Sequence, residues 1–316
     1  MPWSAEHIPN LHGRVAVVTG ATGGLGFESC RALARAGAHV ILAARNPEKT
    51  AEAEKRLREE LPGASLEAVP LDLASLRSVR EAAERIAGSH RALHILLNNA
   101  GLMAIPERQT EDGFEMQFGV NHLGHYALTA LLLPALLRAE TARVVTVTSL
   151  ARLFARAVNP ANPHLRGRYD PWRAYGQSKL ANDHFALGLE RRFRDAGVRA
   201  VSLAAHPGLT YTELQERSAR ESGDLLSRIF LVQARATGMR PDRGALPQLR
   251  AATDPSARGG QLYAPRYALF GPPVRRPVPP RPGLRRAIET LFEVSERETG
   301  IRLDVAAALR GGGGRA

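Results

Sequence analysis

Residues 14–45 read RVAVVTGATGGLGFESCRALARAGAHVILAAR, and this stretch decides the fold. Arg14 to Thr19 is a short apolar, β-branched run, and Gly20, Gly23, Gly24 and Gly26 follow within seven residues. An amphipathic helix pattern comes next (Phe27, Cys30, Leu33, Ala34), then a Gly37 stop and a second apolar run, His39 to Ala43. The order is strand, glycine turn, helix, strand. Such a unit points the free N–H groups and positive dipole end of its helix at whatever lies in the turn, and glycines leave room for a phosphate against the backbone.

The expected ligand set is therefore Gly20, Thr22, Gly24, Leu25 and Gly26 around a dinucleotide. An acidic residue about twenty positions on normally binds the adenosine ribose hydroxyls, whereas an arginine there accommodates a 2′-phosphate. Here the second strand ends Ala43-Ala44-Arg45 with no carboxylate. That points to NADP(H), with NAD(H) second. The spacing Gly20-x-x-x-Gly24-x-Gly26 departs from G-x-G-x-x-G, so a tight turn in another α/β protein and an ordinary solvated Arg45 are the plain alternatives.

Downstream, strands and helices alternate, which implies a parallel sheet. Pro47 to Leu61 reads as a charged helix, Ser65 to Leu71 as a strand and Ser75 to Ala87 as a helix. Asp72-Leu73, at a strand end, either reaches the adenine or starts a turn. His94 to Leu97 is a strand ending in Asn98-Asn99-Ala100-Gly101, where the cofactor ribose is expected to run. A helix over Glu111 to Leu137 carries Asn121, His122 and His125, and Asn121 is either functional or a satisfied structural amide. A fifth strand, Arg143 to Thr148, ends at Ser149. A proline-rich loop leads to Tyr175-Gly176-Gln177-Ser178-Lys179, at the start of a helix running to about Arg194. A sixth strand (Val198 to Ala204) ends in His206-Pro207-Gly208, and the segment 209–238 reads as a mobile helical lid or as an ordinary amphipathic surface helix. A helix (Asp242 to Thr253), a short strand (Gln261 to Tyr263), a connector (Leu269 to Gly283), a terminal helix (Leu284 to Thr299) and a frayed tail follow.

The chain has 316 residues, 44% hydrophobic, enough for one large domain. Residues 1–13 form a lead-in, 14–265 the main domain and 266–316 a C-terminal extension. The single cysteine, Cys30, excludes an intrachain disulfide, falls on an apolar helix face and fits a reducing cytosol. No metal site is expected. The apolar stretch Ala127 to Leu137 is about half a bilayer span and is broken by Pro134, so no membrane association is expected. Net charge is +12, yet only three of 43 basic residues are lysines and the arginines are scattered without aromatic interleaving. This argues against nucleic acid and for an anionic small ligand.

Taken together, these segments resemble the short-chain dehydrogenase/reductase family over about residues 12–265, in the family's own order. The segments are Thr19-Gly20-x-x-x-Gly24-x-Gly26, Asp72, Asn98-Asn99-Ala100-Gly101, Asn121, Ser149, Tyr175-x-x-x-Lys179 and Pro207-Gly208-x-x-x-Thr212. The separation of Ser149 from Tyr175, Leu180-Ala181-Asn182 and the run from Leu291 to Glu296 look most like its retinol-dehydrogenase-like group. The resemblance implies a single-domain Rossmann fold with a doubly wound parallel sheet of about seven strands. It also implies a small-molecule carbonyl or alcohol substrate and pairing into a homodimer or homotetramer through the long helices. By the same resemblance Ser149 and Tyr175 bind the substrate oxygen and Tyr175 is the acid and base. Lys179 lowers the tyrosine pKa and holds the ribose, Asn121 positions a relay water, and Thr212 with the backbone near Leu209 anchors the carboxamide. Tyr175 and Lys179 stand one helical turn apart, so both project from one face. Against this oxidoreductase reading stand a catalytically silent NADP(H) sensor and an NAD-dependent sugar-nucleotide epimerase or dehydratase.

Overall fold

A computed structural model describes residues 2–167, 169–278 and 282–311. Its centre is a sheet in the order β3-β2-β1-β4-β5-β6-β7-β8. The strands are β1 Val15–Thr19, β2 His39–Ala44, β3 Leu66–Pro70, β4 Ile95–Asn98, β5 Arg143–Val147, β6 Val201–Ala205, β7 Leu262–Pro265 and β8 Pro273–Arg276. All neighbours pair in parallel except β7 and β8. The helices are α1 Gly24–Arg35, α2 Pro47–Glu60, α3 Leu76–Ser89, α4 Met116–Phe118, α5 Gly124–Arg138 and α6 Pro171–Asp195. After β6 come α7 Glu213–Ser222, α8 Leu225–Thr237, α9 Pro241–Gly244, α10 Leu246–Thr253, α11 Leu284–Thr299 and α12 Val305–Gly311. The chain order reverses between β1 and β4, and that is where an open α/β sheet leaves its binding crevice.

Alternation along each strand sends side chains to two layers. Val17, Ile41, Leu96 and Val144 face α3, α5 and α6, while Val18, Leu42, Leu97 and Val145 face α1, α2 and α10. Cys30 is fully buried in the second layer, where burial pushes its thiol pKa up. Trp3 and Ile8 of the lead-in pack on the same layer.

Several expectations need correction. The sheet has eight strands rather than seven, because the proline-rich connector contains β8. Prolines are compatible with it: β8 is an edge strand, whose outer side needs no N–H partner. The helix expected from Glu111 begins at Met116, where the Glu115 carboxylate caps it by accepting from Gln117 N and Phe118 N. It then widens into a π turn, Gly119–Leu123, before α5, and α5 continues through Pro134. The whole run, Met116–Arg138, is long and apolar enough to cross a bilayer, but 72% of its apolar window is buried inside the protein. The expected lid helix is two helices, and Asp242 to Thr253 divides into α9 and α10. Part of the expected frayed tail, Arg310 and Gly311, closes α12; residues 312–316 lie outside the described residues.

The C-terminal extension is part of the core. Phe292 of α11 stacks on Phe185, Arg192 lies 3.6 Å from the Phe292 ring centroid, and His122 Nε2 hydrogen-bonds Ser295 Oγ at 2.8 Å. A Cβ on Gly188 of α6 would come within 2.4 Å of Phe292, so only glycine permits this approach. Thus α11 covers α6 and α12 lies against α5, on the long helices that the resemblance offers for pairing.

Candidate active site

β1 ends in Thr19 and hands the chain to a turn in which Gly20 and Gly24 take positive φ, +67° and +50°. A Cβ on Gly26 would lie 2.1 Å from Gly20 O and 2.8 Å from Asn99 Nδ2, so that glycine is sterically obligatory. Gly23 caps α1 without a side-chain hydrogen bond, leaving the first-turn N–H groups to the cleft. The N-terminus of α7 abuts the same turn: the Thr212 methyl lies 3.2 Å from a Cβ built on Gly24. Two helix N-termini therefore converge there, a favourable place for a pyrophosphate.

The cleft holds about 530 Å³. Of the residues expected to bind the cofactor, Gly20, Thr22, Gly24, Leu25, Gly26, Arg45, Asp72, Leu73, Asn99, Ala100, Gly101 and Thr212 line it. Arg45 is exposed and makes no ion pair among the described residues, and Lys49, in the first turn of α2, lines the cleft beside it. Asp72 Oδ1 accepts from Ala74 N at 2.9 Å, so the turn reading of Asp72 holds alongside its place in the cleft. Leu209 is outside the lining: its N–H donates to Leu269 O at 2.8 Å and its carbonyl accepts from Met239 N at 2.8 Å. Thr212 is the N-cap of α7, its Oγ1 donating to Gln215 Oε1 at 2.8 Å, so it sets where the lid begins.

Tyr175, Lys179, Asn121 and Ser149 meet next to this cleft, at Gly101. A Cβ on Gly101, itself a lining residue, would lie 3.1 Å from Asn121 Oδ1 and 3.3 Å from Lys179 Nζ. Ser149, at the carboxyl end of β5, hydrogen-bonds Tyr175. Thr148 beside it is committed elsewhere, donating to Lys179 O at 2.8 Å. Lys179 Nζ donates to Val147 O at 3.2 Å and lies 5.9 Å from the Tyr175 ring centroid. Gly176 lets α6 approach the Leu150–Phe154 turn, since a Cβ there would stand 3.1 Å from Ala151 O.

Burial dominates the electrostatics. It raises the Tyr175 pKa to about 12, with the Ser149 hydrogen bond pulling the other way. It lowers that of Lys179 to about 8, opposed by Asp183. At neutral pH the phenol is protonated and the amine mostly charged. The Asn121 side chain is fully used: Oδ1 accepts from Leu102 N at 2.7 Å, and Nδ2 donates to Leu102 O and Ser178 Oγ at 2.9 Å each.

Two buried residues, Thr19 and His125, tie the glycine turn to the π turn. Thr19 Oγ1 accepts from Asn99 N (2.9 Å) and Ala100 N (3.0 Å) and lies 2.8 Å from His125 Nε2. His125 Nδ1 lies 3.0 Å from Asn121 O, which only accepts. Burial lowers the His125 pKa to about 4, so the ring is neutral with its proton on Nδ1 and Nε2 receives the Thr19 hydroxyl proton. The sequence signal for this pair was present: a threonine just before the first glycine and a histidine one turn after Asn121. The cations Lys49, Arg108 and Arg217 also line the cleft. Only their fold neighbours, not their own sequence context, reveal them.

Over Tyr175 lies a small apolar cluster of Met103, Ala104, Trp172, and Leu214 and Phe230 from the α7–α8 hairpin. Trp172 packs edge-on to both Tyr175 and Phe230, at 6.2 and 5.7 Å.

Comparison with known proteins agrees with this geometry. The sequence profile described as "short chain dehydrogenase" matches residues 14–223. The chain belongs to the short-chain dehydrogenase family. Polyprenol dehydrogenase of Mus musculus is 42% identical over 257 residues, covering 80% of this chain and 75% of its own length. Retinol dehydrogenase 12 of Mus musculus is 42% identical over 208 residues (66% and 65%), so retinol-dehydrogenase-like relatives are established. Among solved structures, an uncharacterised protein from Mycobacterium paratuberculosis superposes with TM-score 0.77 at 38% identity, covering 96% of this chain and 99% of that one. An NAD(P)-dependent gluconate 5-dehydrogenase from Beutenbergia cavernae, solved with bound NADP, gives TM-score 0.63 at 26% identity (80% and 95%). As a family member, the chain is an oxidoreductase with a dinucleotide-binding Rossmann fold.

Proposed function

We propose that this oxidoreductase uses NADP(H) to interconvert a carbonyl and an alcohol on an apolar substrate, with Tyr175 as general acid and base. The observation that carries the reading is the set Ser149, Tyr175 and Lys179, the last two buried, with Lys179 meeting the glycine-turn cleft at Gly101 and Ser149 bonded to Tyr175. The cleft's features fit a phosphorylated dinucleotide: glycines where a Cβ would collide, two converging helix N-termini, and Arg45 with Lys49 where a 2′-phosphate is expected. The relatives solved with NADP support the same choice. When bound, the nicotinamide supplies or takes the hydride.

The chain's own residues handle the proton and the substrate oxygen. Tyr175, protonated at neutral pH, is suited to donate to the oxygen of a carbonyl under reduction, and Ser149 holds that oxygen beside it. In the alcohol direction the phenol must lose its proton against the cost of burial. The Lys179 ammonium offsets that cost by stabilising the phenolate. Asn121 acts by position, holding the Leu102 backbone against α6. Trp172, Leu214, Phe230 and Met103 give the substrate side an apolar wall, and the relatives' names, polyprenol and retinol dehydrogenase, suit it.

The α7–α8 hairpin is read as the lid over this wall. We read the protein as working in a reducing cytosol, a reading that its sole, buried cysteine supports. Pairing of two chains through α5 and α6 needs faces other than those α12 and α11 cover. The test is an NADPH-oxidation screen over aldehydes, aliphatic and aromatic ketones, steroids and retinal. Turnover on an apolar carbonyl supports the proposal. Tight NADPH binding with no turnover in any class favours the silent sensor instead.

A further inference from the structure

At the opposite end of the sheet from the cleft, three ligand-type side chains converge. His39 opens β2, Glu67 lies in β3 beside it with Ile41 as its paired residue, and His90 ends α3. Strand alternation puts His39 and Glu67 on the α3 face of the sheet, so the end of α3 carries His90 over both. One carboxylate oxygen, Glu67 Oε2, faces both rings, 2.7 Å from His90 Nε2 and 3.5 Å from His39 Nε2. The rings are 4.9 Å apart at 38°. His39 Nε2 is enclosed and has no hydrogen-bond partner among the described residues, while His39 Nδ1 lies 2.7 Å from Ser65 Oγ.

We propose that His39, Glu67 and His90 bind one divalent transition-metal ion, with zinc as the probe. One ring nitrogen from each imidazole and one carboxylate oxygen of Glu67 all lie within 4.8 Å of one another. Ligation at about 2.0–2.2 Å requires only that the Glu67 and His90 side chains part slightly to admit the ion. Two imidazoles and one carboxylate suit zinc, nickel, cobalt or copper and disfavour magnesium and calcium. Ser65 completes the arrangement, because its hydroxyl can accept the proton of His39 Nδ1 and thereby leave the Nε2 lone pair for the metal. A competing charge is Arg85, whose Nε lies 3.7 Å from Glu67 Oε1, and whose half-exposed side chain has room to turn outward. The three ligands come from two strands and a helix end, so the ion would join β2, β3 and α3 at the sheet margin. None of them lines the nucleotide cleft.

Isothermal titration of untagged, chelator-treated protein with zinc chloride tests the site. One zinc per chain is expected, weakened at least about tenfold in His90→Ala and in Glu67→Gln, with no binding of magnesium and unchanged NADPH affinity. Cobalt absorption on the wild-type protein provides a second readout that needs no variant, and an intense visible band displaced by zinc supports the site. Absence of stoichiometric zinc binding overturns the proposal, as does zinc affinity indifferent to both substitutions. Because NADPH binding is read separately, failure here leaves the oxidoreductase reading intact.

Discussion

Removing the charge of Lys179 while keeping its stem, as in Lys179→Met, isolates the electrostatic part of the proposed chemistry. Its Nζ lies 5.9 Å from the Tyr175 ring centroid in a buried setting. At an effective dielectric of ~20, a unit charge at that distance stabilises a phenolate by roughly 3 kcal/mol, or about two pKa units. Alcohol oxidation, which needs the phenolate, is therefore expected to slow by about a hundredfold in the variant, within the usual range for a general-base contribution. Carbonyl reduction carries a second signature. Burial lowers the Lys179 pKa to about 8, so the ammonium is lost as pH rises through that value, and wild-type reduction should decline above it. The variant has no such group, and its profile should be level there. Initial rates of NADPH oxidation and NADP⁺ reduction across the pH range give both numbers. A loss smaller than tenfold, together with a decline near pH 8 that survives the substitution, would refute the role assigned to Lys179.

Arg45→Asp should weaken NADPH at least about tenfold, a loss of about 1.4 kcal/mol or more, and relatively favour NADH. Fluorescence titration of both cofactors decides it, since unchanged NADPH affinity would free Arg45 of the phosphate. Gly26→Ala forces a Cβ to 2.1 Å from Gly20 O, so NADPH binding should be lost and stability reduced by about 1–3 kcal/mol. Gly88→Ala, with open space around its Cβ on α3, is the matched control and should be neutral or slightly stabilising in thermal unfolding. Thr19→Val leaves the Ala100 N–H group without its acceptor, at about 1–3 kcal/mol, and leaves the Asn99 N–H with Leu97 O alone. Thermal unfolding should show a drop of several degrees, and an unchanged midpoint would mean that other groups or water satisfy them.

The core of the fold was legible because its signals are local. The β-branched run at Val15–Thr19, the glycine turn and the stop at Gly37 each fix backbone conformation within a few residues, and they predicted β1, α1 and β2 closely. Ser75, an N-cap residue by type, marked the start of α3 in the same way. The π turn at Gly119–Leu123 was not legible, because it depends on the contact of Asn121 with Leu102 and of Thr19 with His125, pairs distant in sequence. β8 was hidden by prolines, which are tolerated because it is an edge strand with no partner on its outer side among the described residues. At the site, the residue types of Ser149, Tyr175 and Lys179 were readable from their spacing. That Thr148 is diverted to Lys179 O, and that Leu209 spends both backbone groups within the fold, needed coordinates.

Tyr175→Phe tests the central claim most directly, because it deletes one oxygen and keeps the ring that packs against Trp172. The account predicts that NADPH affinity survives while turnover on the best carbonyl substrate falls by at least about a hundredfold at every pH. Turnover within a few-fold of wild type would contradict it and remove the phenol from the chemistry.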